Sequence, residues 1–222
     1  MRELFSLFGL YWENRGYRKR LSVVERQKLG HFSWYRSLTR ALARAYWWRN
    51  PFLVSRAARK RIARPQSDLV YGETPPITAF ELLTELGIDQ ADHVVECGGG
   101  TSVFSLVAVS AFGCRATTLE IVPAFVKKTR EVASSLGLER LKVRQSDILV
   151  DPLPEGTLYY LTGTTFCEES WGKLQKQMAV APVGAKAISL STALDAKAWK
   201  CEKTLLLPYS WGENTVYIQT RI

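Results

Sequence analysis

Residues 77–222 alternate between helical patterns and short apolar runs, and this alternation restricts the fold more than any other feature of the chain. Two β-rich runs, 204–207 and 215–222, close the sequence and are joined by a loop at 210–214. Such a pattern indicates a mostly parallel sheet covered by helices, with an antiparallel hairpin at its edge. The predicted class is α/β with seven strands. The predicted helices cover 77–86, 103–111, 123–137 and 168–179, and the predicted strands before the hairpin cover 93–97, 115–121, 141–146, 157–161 and 186–190.

The first predicted strand ends in an acid and leads directly into a glycine-rich turn. The acid is Glu96, and the turn holds Gly98, Gly99 and Gly100 before Ser102 and the next helix. Glycines let the backbone bend sharply and approach a ligand closely, and the start of the following helix presents unpaired N–H groups. The turn is therefore the candidate ligand site, with a plain tight turn as the alternative.

Two further acids stand where the next two strands end. Glu120 ends the second strand, 20 residues after Gly100, and Asp147 follows the third strand. A carboxylate at the end of the second strand accepts hydrogen bonds from ribose hydroxyls in nucleoside-binding sheets. Because ligands of open α/β sheets bind at the carboxyl ends of the strands, both acids fall on the predicted binding edge. The alternative for Asp147 is that it caps the turn after its strand.

Two nucleoside ligands compete for this arrangement. The dinucleotide fingerprint G-x-G-x-x-G, started at Gly98, requires Gly or Ala at position 103, where this chain has Val103. A pyrophosphate-binding turn is therefore disfavoured. An acid two residues before the first glycine suits a ligand with an amino-acid head, because the carboxylate can face an ammonium group. These observations favour S-adenosyl-L-methionine as the cofactor.

The sequence Glu96-x-Gly98-x-Gly100 resembles the first motif of the class I, seven-strand S-adenosylmethionine-dependent methyltransferases, with Ser102 where a third glycine is usual. The resemblance implies a Rossmann-like sheet in which the glycine backbone lies under the cofactor. It implies that Glu96 serves the methionine ammonium group, directly or through water. The remaining contacts that it implies are Glu120 to the ribose, and Asp147 with Ile148 around the adenine.

A narrower resemblance precedes that strand. Tyr71-Gly72-Glu73-Thr74, followed by an amphipathic helix and then the strand with Glu96, is similar to the Dot1-type lysine methyltransferases in motif and spacing. This likeness implies that Tyr71 and Thr74 lie over the cofactor. It extends over roughly residues 68–222.

The C-terminal hairpin also has a counterpart in the Dot1-type enzymes. Ser210-Trp211-Gly212 is followed by Val216-Tyr217-Ile218, and the resemblance implies that Trp211 and Tyr217 line a substrate channel. After the fourth strand, eukaryotic Dot1 enzymes have an Asn-rich motif that ends in Phe. Here Phe166 keeps its place, while Thr162 and Gly163 replace the amides, as in bacterial methyltransferases of Dot1 type.

The resemblance implies transfer of a methyl group to a lysine amine of a protein substrate. Thr162, Phe166, Trp211 and Tyr217 are its predicted catalytic residues, and Thr162 is also predicted to contact the cofactor. An aromatic channel and hydrogen-bond acceptors that position the amine suffice for this chemistry, since the amine has only to arrive neutral and in line with the methyl group. RNA and a small molecule stay open as acceptors, and so does a binding module that has lost catalysis.

The N-terminal part has a different charge from the rest of the chain. Residues 1–64 contain sixteen Lys or Arg and three Glu, a balance of +13, whereas the chain as a whole has a net charge of +9. Periodic apolar residues predict basic helices between 18 and 64, with a break at Gly30, a cap at Ser33 and an end at Asn50. We divide the chain into a basic helical segment, 1–64, and a methyltransferase domain, 65–222.

Four interpretations of this basic segment stand side by side. It packs as a helical lid on the domain, with Trp47 and Trp48 among the packing residues, or it follows the backbone of a nucleic acid or nucleoprotein with rings stacked on bases. Alternatively it lies as a peripheral element on an anionic membrane, or it docks an acidic protein.

The number and spacing of the cysteines and histidines indicate whether the chain can bind a metal and in which cellular compartment it is expected. The four cysteines are far apart without a C-x-x-C pair, and there are two histidines, so neither a zinc site nor a disulfide framework is predicted. Together with the lack of a secretory pattern in the first ten residues, this predicts a reducing, cytoplasmic location. An organellar transit peptide stays open as the alternative, because the N-terminal part is rich in Arg.

Overall fold

The strands form one seven-stranded sheet in the computed structural model of the chain. The structure describes residues 2–222, with side chains from residue 15 onward. The strands are β1 (His93–Cys97), β2 (Arg115–Glu120), β3 (Leu141–Gln145), β4 (Leu158–Leu161), β5 (Lys186–Leu190), β6 (Trp199–Tyr209) and β7 (Gly212–Arg221).

The order of the strands across the sheet is β3-β2-β1-β4-β5-β7-β6. Strands β1 to β5 run parallel, and β7 pairs antiparallel with both β5 and β6. The chain order reverses on either side of β1, because β2 lies on one side of it and β4 on the other. In open α/β sheets this switch point opens a crevice at the carboxyl ends of the strands. The predicted α/β class with an antiparallel edge hairpin is confirmed.

Seven α-helices accompany the sheet in the described residues, and a short 3-10 helix covers Ser67–Leu69. One face of the sheet carries a core that includes residues of α2, α4, α5 and α6, and the other face packs against α7. The α-helices are α1 (Arg2–Leu29), α2 (Ser33–Ala45), α3 (Pro51–Arg59), α4 (Pro76–Glu85), α5 (Val103–Phe112), α6 (Pro123–Ser135) and α7 (Glu168–Met178).

Three local predictions need correction. The residue that caps α2 is Phe32 rather than Ser33, and no side chain bonds that end of the helix. Strand β6 begins at Trp199, five residues before the predicted start, because a polar run on an edge strand does not look apolar in sequence. The hairpin turn is tighter than predicted, since β7 begins at Gly212.

The second basic helix is part of the core of the sheet domain. Leu38 of α2 is fully buried in the main core together with residues of α4 and α5. The Trp34 ring stacks on Phe80 of α4, with the ring centroids 5.6 Å apart. Upstream, a carboxylate oxygen of Glu25 accepts the backbone N–H of Ile77, 3.1 Å away. Helices α1 and α2 therefore cover apolar surface of the sheet domain, as the lid interpretation expects.

The tryptophan pair that follows α2 does not pack in this way. Trp47 is 76% exposed and Trp48 is 91% exposed. The prediction that this pair packs on the domain is wrong: the preceding residue, Tyr46, packs against Phe125 of α6, and both indoles are left in solvent. The Asn50 side chain accepts the N–H of Leu53 and caps α3. Within residues 2–222, no helix combines the length and the hydropathy that crossing a bilayer requires.

Candidate functional site

A cavity of about 470 Å³ opens at the carboxyl ends of the central strands, at the switch point beside β1. Its volume lies in the range of about 300–1,000 Å³ that is typical of small-molecule sites. The walls come from the turn after β1, the ends of β2, β3 and β4, the segment before α4, and the hairpin turn. Nine predicted site residues line it: Tyr71, Gly98, Gly100, Glu120, Asp147, Ile148, Thr162, Phe166 and Trp211.

The glycine turn forms the floor beside β1. Gly98 and Gly100 have φ values of +81° and +53°, in the left-handed region that glycine adopts without strain. A Cβ atom on Gly100 would lie 2.8 Å from the Tyr71 ring. The Gly100 position therefore requires glycine both for its backbone and for the close approach of this aromatic ring.

Glu120 fixes the same turn from β2. One carboxylate oxygen accepts the N–H of Gly100 at 2.6 Å, and the other accepts the N–H of Val122 at 2.7 Å. Burial raises the pKa of this carboxyl group, while the backbone N–H groups oppose the rise. Each carboxylate oxygen has capacity for another hydrogen bond. Glu120 can thus shape the turn and still accept ligand hydroxyls.

Asp147 meets a partner that the sequence did not suggest. Arg64, from the basic segment, donates its Nε–H to Asp147 Oδ2 at 2.8 Å and also forms a second, closer contact with that oxygen. The other oxygen of Asp147 accepts the N–H of Leu149 at 3.0 Å, which is the turn-capping role left open above. Both Arg64 and Asp147 line the cavity, so the basic segment contributes a charged residue to its wall.

Aromatic rings form the wall opposite the sheet edge. The Tyr71 hydroxyl donates to Glu73 at 2.8 Å, and its ring stacks on Phe125 with centroids 5.1 Å apart. Trp211, 36% exposed, stacks on Tyr209 and lies so close to Gly72 that a Cβ there would be 2.3 Å from the indole. Gly72, which has no Cβ, therefore leaves space for the Trp211 indole at the rim.

Thr162 and Phe166 occupy the wall after β4. The Thr162 hydroxyl donates to the carbonyl of Gly98 at 3.3 Å, which ties the end of β4 to the glycine turn. The Phe166 ring lies against Gly163, whose Cβ would be 3.0 Å from it. Both side chains line the cavity, and the Thr162 side chain already has a hydrogen-bond partner within the chain.

Three of the predicted cofactor contacts lie outside the cavity wall. Thr74 is buried and shares a hydrogen bond of 2.8 Å with the Tyr160 hydroxyl. Ser102 is fully buried and bonds to the hydroxyls of Thr118 and Thr129. Glu96 is 3% exposed and accepts the N–H of Ser105 in the first turn of α5.

The predicted channel residue Tyr217 is also outside the wall. It stands in β7, paired across the strands with Ser189 of β5 and Thr204 of β6. Tyr217 is not among the residues that line the cavity, which Trp211 reaches from the hairpin turn. Its role in an acceptor channel stays a prediction.

Several cavity residues escaped the sequence analysis. Asp68 lines the cavity and accepts the N–H of Cys167, which holds the segment before α4 against the start of α7. Ser191 follows β5 and donates to the side-chain oxygen of Asn214 at 2.9 Å. Its position at the carboxyl end of a parallel strand is the signal that would have found it. Asp68 and Arg64 carried no such signal, because both lie in irregular segments.

We expect Glu96 to make stability depend on pH. Burial raises the pKa of its carboxyl group from 4.5 to about 7, so folding favours the protonated form. As the pH rises from 4.5 through 7, the free energy of unfolding should fall by about 3 kcal/mol from this group alone. Glu96→Gln should remove that component. Urea unfolding of both proteins at pH 5 and pH 8 measures it, and parallel pH profiles would contradict it.

No family model and no curated protein matches this sequence. Solved structures do match its fold. An RNA methyltransferase from Salinibacter ruber, in complex with S-adenosyl-L-homocysteine, matches with a TM-score of 0.55 and 24% identity over 67% of this chain and 93% of that chain. The chain has the fold of the class I methyltransferases.

Two further structures have the same fold at lower identity. TrmN from Thermus thermophilus matches with a TM-score of 0.59 and 16% identity, over 73% of this chain and 55% of that one. A putative methyltransferase from Escherichia coli, yhhF, matches with a TM-score of 0.54 and 15% identity, over 65% of this chain and 82% of that one. At these identities the likeness concerns the fold, and activity must be argued from the site.

Proposed function

We propose that the chain is an S-adenosylmethionine-dependent methyltransferase whose acceptor is a lysine amine of a protein. The observation that carries the proposal is the cavity at the switch point of the sheet. There the glycine turn, Glu120 and an aromatic rim at Trp211 meet around one space. Each of these parts supplies a different requirement of methyl transfer.

The residues present fit S-adenosylmethionine. The cavity volume of about 470 Å³ suits a ligand of this size, and Gly98 and Gly100 line it without side chains. Gly98 and Gly100 would lie beside the cofactor, and Glu120 would hold its ribose hydroxyls. Asp147 and Ile148 would border its adenine. When bound, the cofactor supplies a methyl group on a positively charged sulfur.

The chain's own part in the reaction is orientation and exclusion of water. Glu120 fixes the glycine turn through two backbone N–H groups, so the floor of the site is rigid before a ligand arrives. The rings of Tyr71, Phe166 and Trp211 make the wall partly apolar. Alignment of two reactants in such a wall accounts for a large part of the barrier reduction in reactions of this type.

The aromatic rim and the acids of the cavity support a lysine acceptor. The half-exposed Trp211 ring leaves the cavity open to a long side chain, and an indole face attracts an approaching ammonium group. The carboxylates that line the cavity, Asp68, Glu120 and Asp147, each accept hydrogen bonds within the chain. These acids keep capacity for a further hydrogen bond that could position the amine, which reacts in its neutral form after its proton passes to solvent. The Dot1-like Tyr71–Thr74 motif supports the same acceptor.

RNA is the second candidate acceptor. The +13 balance of residues 1–64 and the fold match to an RNA methyltransferase favour it. Incubation with labelled S-adenosylmethionine and a whole-cell extract, followed by protease or nuclease digestion, separates the two. We expect protease-sensitive label that mass spectrometry assigns to methyl-lysine. Nuclease-sensitive label would assign RNA instead, and absence of label with intact cofactor binding would leave a silent module.

Gly72→Ala should slow methyl transfer without lowering the affinity for the cofactor. The added Cβ would lie 2.3 Å from the Trp211 ring, so the indole must move from the rim. We expect turnover to fall about tenfold or more, because small displacements at a reacting centre are costly. Gly172→Ala is the matched control, since its Cβ meets no atom within 4 Å. Steady-state kinetics measures the turnover of both variants, and calorimetry measures their affinity for the cofactor. Equal turnover of the two variants would remove Trp211 from the acceptor path.

A further inference from the structure

The turn between α2 and α3 presents a cluster of exposed apolar side chains in a strongly basic surrounding. Trp47 is 76% exposed, Trp48 is 91% exposed and Leu53 is 52% exposed, and Phe52 is 39% exposed beside them in sequence. We call these four residues the tryptophan patch. Single exposed apolar residues are ordinary on a protein surface, but a group of large ones marks an interaction site.

The sequence around the tryptophan patch carries charge of one sign. Between Glu25 and Asp68 the sequence contains eleven Lys and Arg and no acid. Arg44, Arg49 and Arg56 are exposed. In the part of the chain with described side chains, none of these three forms an ion pair. A partner of this surface must therefore be anionic, and a second copy of the same basic surface would be repelled.

We infer that the tryptophan patch docks the chain on an anionic lipid bilayer. Indole rings favour the headgroup region of a membrane, aliphatic and phenyl side chains enter its apolar boundary, and arginines pair with lipid phosphates. The patch supplies the indole, phenyl and aliphatic side chains, and the exposed Arg44, Arg49 and Arg56 lie next to it in sequence. The inference does not rest on the proposed methyltransferase function.

The geometry of the two indoles argues against single-stranded RNA as the partner. Their rings meet edge to face, with centroids 6.3 Å apart and planes at 84°. Successive bases of a strand stack on rings that present parallel faces, which this pair does not offer. The aliphatic Leu53, half exposed in the same patch, offers a base no stacking surface but adds to burial in lipid.

One residue of the tryptophan patch, Phe52, touches the wall of the cavity. The Phe52 ring meets the ring of Tyr71 edge to face, with centroids 5.1 Å apart, and Tyr71 lines the cavity. Arg18 of α1 lies over the Phe52 ring, 5.6 Å from its centroid. Docking through the patch would therefore place Phe52, which touches the cavity wall at Tyr71, near the lipid surface.

Vesicle sedimentation of the full chain tests the inference. We expect binding to vesicles of phosphatidylcholine with phosphatidylglycerol, and much weaker binding to vesicles of phosphatidylcholine alone. The double variant Trp47→Ala/Trp48→Ala should lower the partition coefficient about tenfold or more, because two large apolar groups no longer insert. The matched control is Val180→Ala/Val183→Ala, since these valines are 77% and 78% exposed outside the patch. The control should bind as the unmodified chain does.

Two further measurements separate insertion from other causes. Vesicles with brominated acyl chains should quench tryptophan fluorescence of the unmodified chain, and the double variant should lose most of that quenching. Circular dichroism and the unfolding midpoint confirm that the variant is folded. Equal vesicle binding by the unmodified chain and the double variant would overturn the inference. Binding to single-stranded RNA or to an acidic protein, without binding to anionic vesicles, would overturn it as well.

Discussion

Replacing Glu120 by alanine is expected to weaken S-adenosylmethionine binding about tenfold to a hundredfold. A hydrogen bond to an ionised acceptor contributes about 1.5–3 kcal/mol, and the variant loses the proposed ribose contacts. It also leaves the N–H groups of Gly100 and Val122 without their acceptor in a buried place. The free energy of unfolding should therefore fall by about 2–4 kcal/mol. Calorimetry and urea unfolding measure the two effects separately.

Two variants separate these consequences of the Glu120 change. Glu120→Gln keeps one carbonyl acceptor for the turn and removes the charge, so it should fold better than Glu120→Ala and still bind the cofactor weakly. Glu139→Ala removes an exposed acid and should change neither quantity. Unchanged cofactor affinity in Glu120→Ala would exclude this residue from the site. NAD binding tighter than S-adenosylmethionine would overturn the ligand assignment itself.

The order of helices and strands in the sheet domain could be predicted because apolar residues repeat differently along helices and along strands. Strand β1 has the predicted bounds, and β5 does too, since short runs of buried apolar residues between turns are unambiguous. The start of β6 could not be predicted. Its first half, Trp199–Lys203, is polar and mostly exposed at the sheet edge, where pairing with β7 rather than burial keeps it extended.

The candidate site was predictable where residues follow a strand. Glu120 ends β2 and Asp147 follows β3, and topology alone brings them to one edge. The direction of a side chain in an irregular segment is set by tertiary packing instead. Tyr71 and Thr74 belong to one four-residue motif, yet the first lines the cavity and the second turns to Tyr160 beneath it. Arg64 reaches Asp147 for the same reason, across 83 residues of sequence.

The boundary at residue 64 between the basic segment and the methyltransferase domain is a prediction that packing makes testable. Leu38 is fully buried in the main core, whereas Leu53 of α3 is 52% exposed. Leu38→Ala should lower the free energy of unfolding by about 2–5 kcal/mol, as in other buried leucines. Leu53→Ala, the matched control, should change it by less than about 0.5 kcal/mol. Urea unfolding of both variants measures the difference.

Removal of residues 1–64 should lower the stability of the domain still further than Leu38→Ala does. It would uncover the apolar surface of α4 and α5 that Leu38 and Trp34 occupy, and it would free the Ile77 N–H that Glu25 holds. It would also remove Arg64 from the cavity wall. We therefore expect the shortened chain to aggregate, even though every proposed cofactor residue lies at Tyr71 or beyond. A soluble 65–222 fragment that binds S-adenosylmethionine as tightly as the full chain would show that α1 and α2 are an appendage rather than part of the domain.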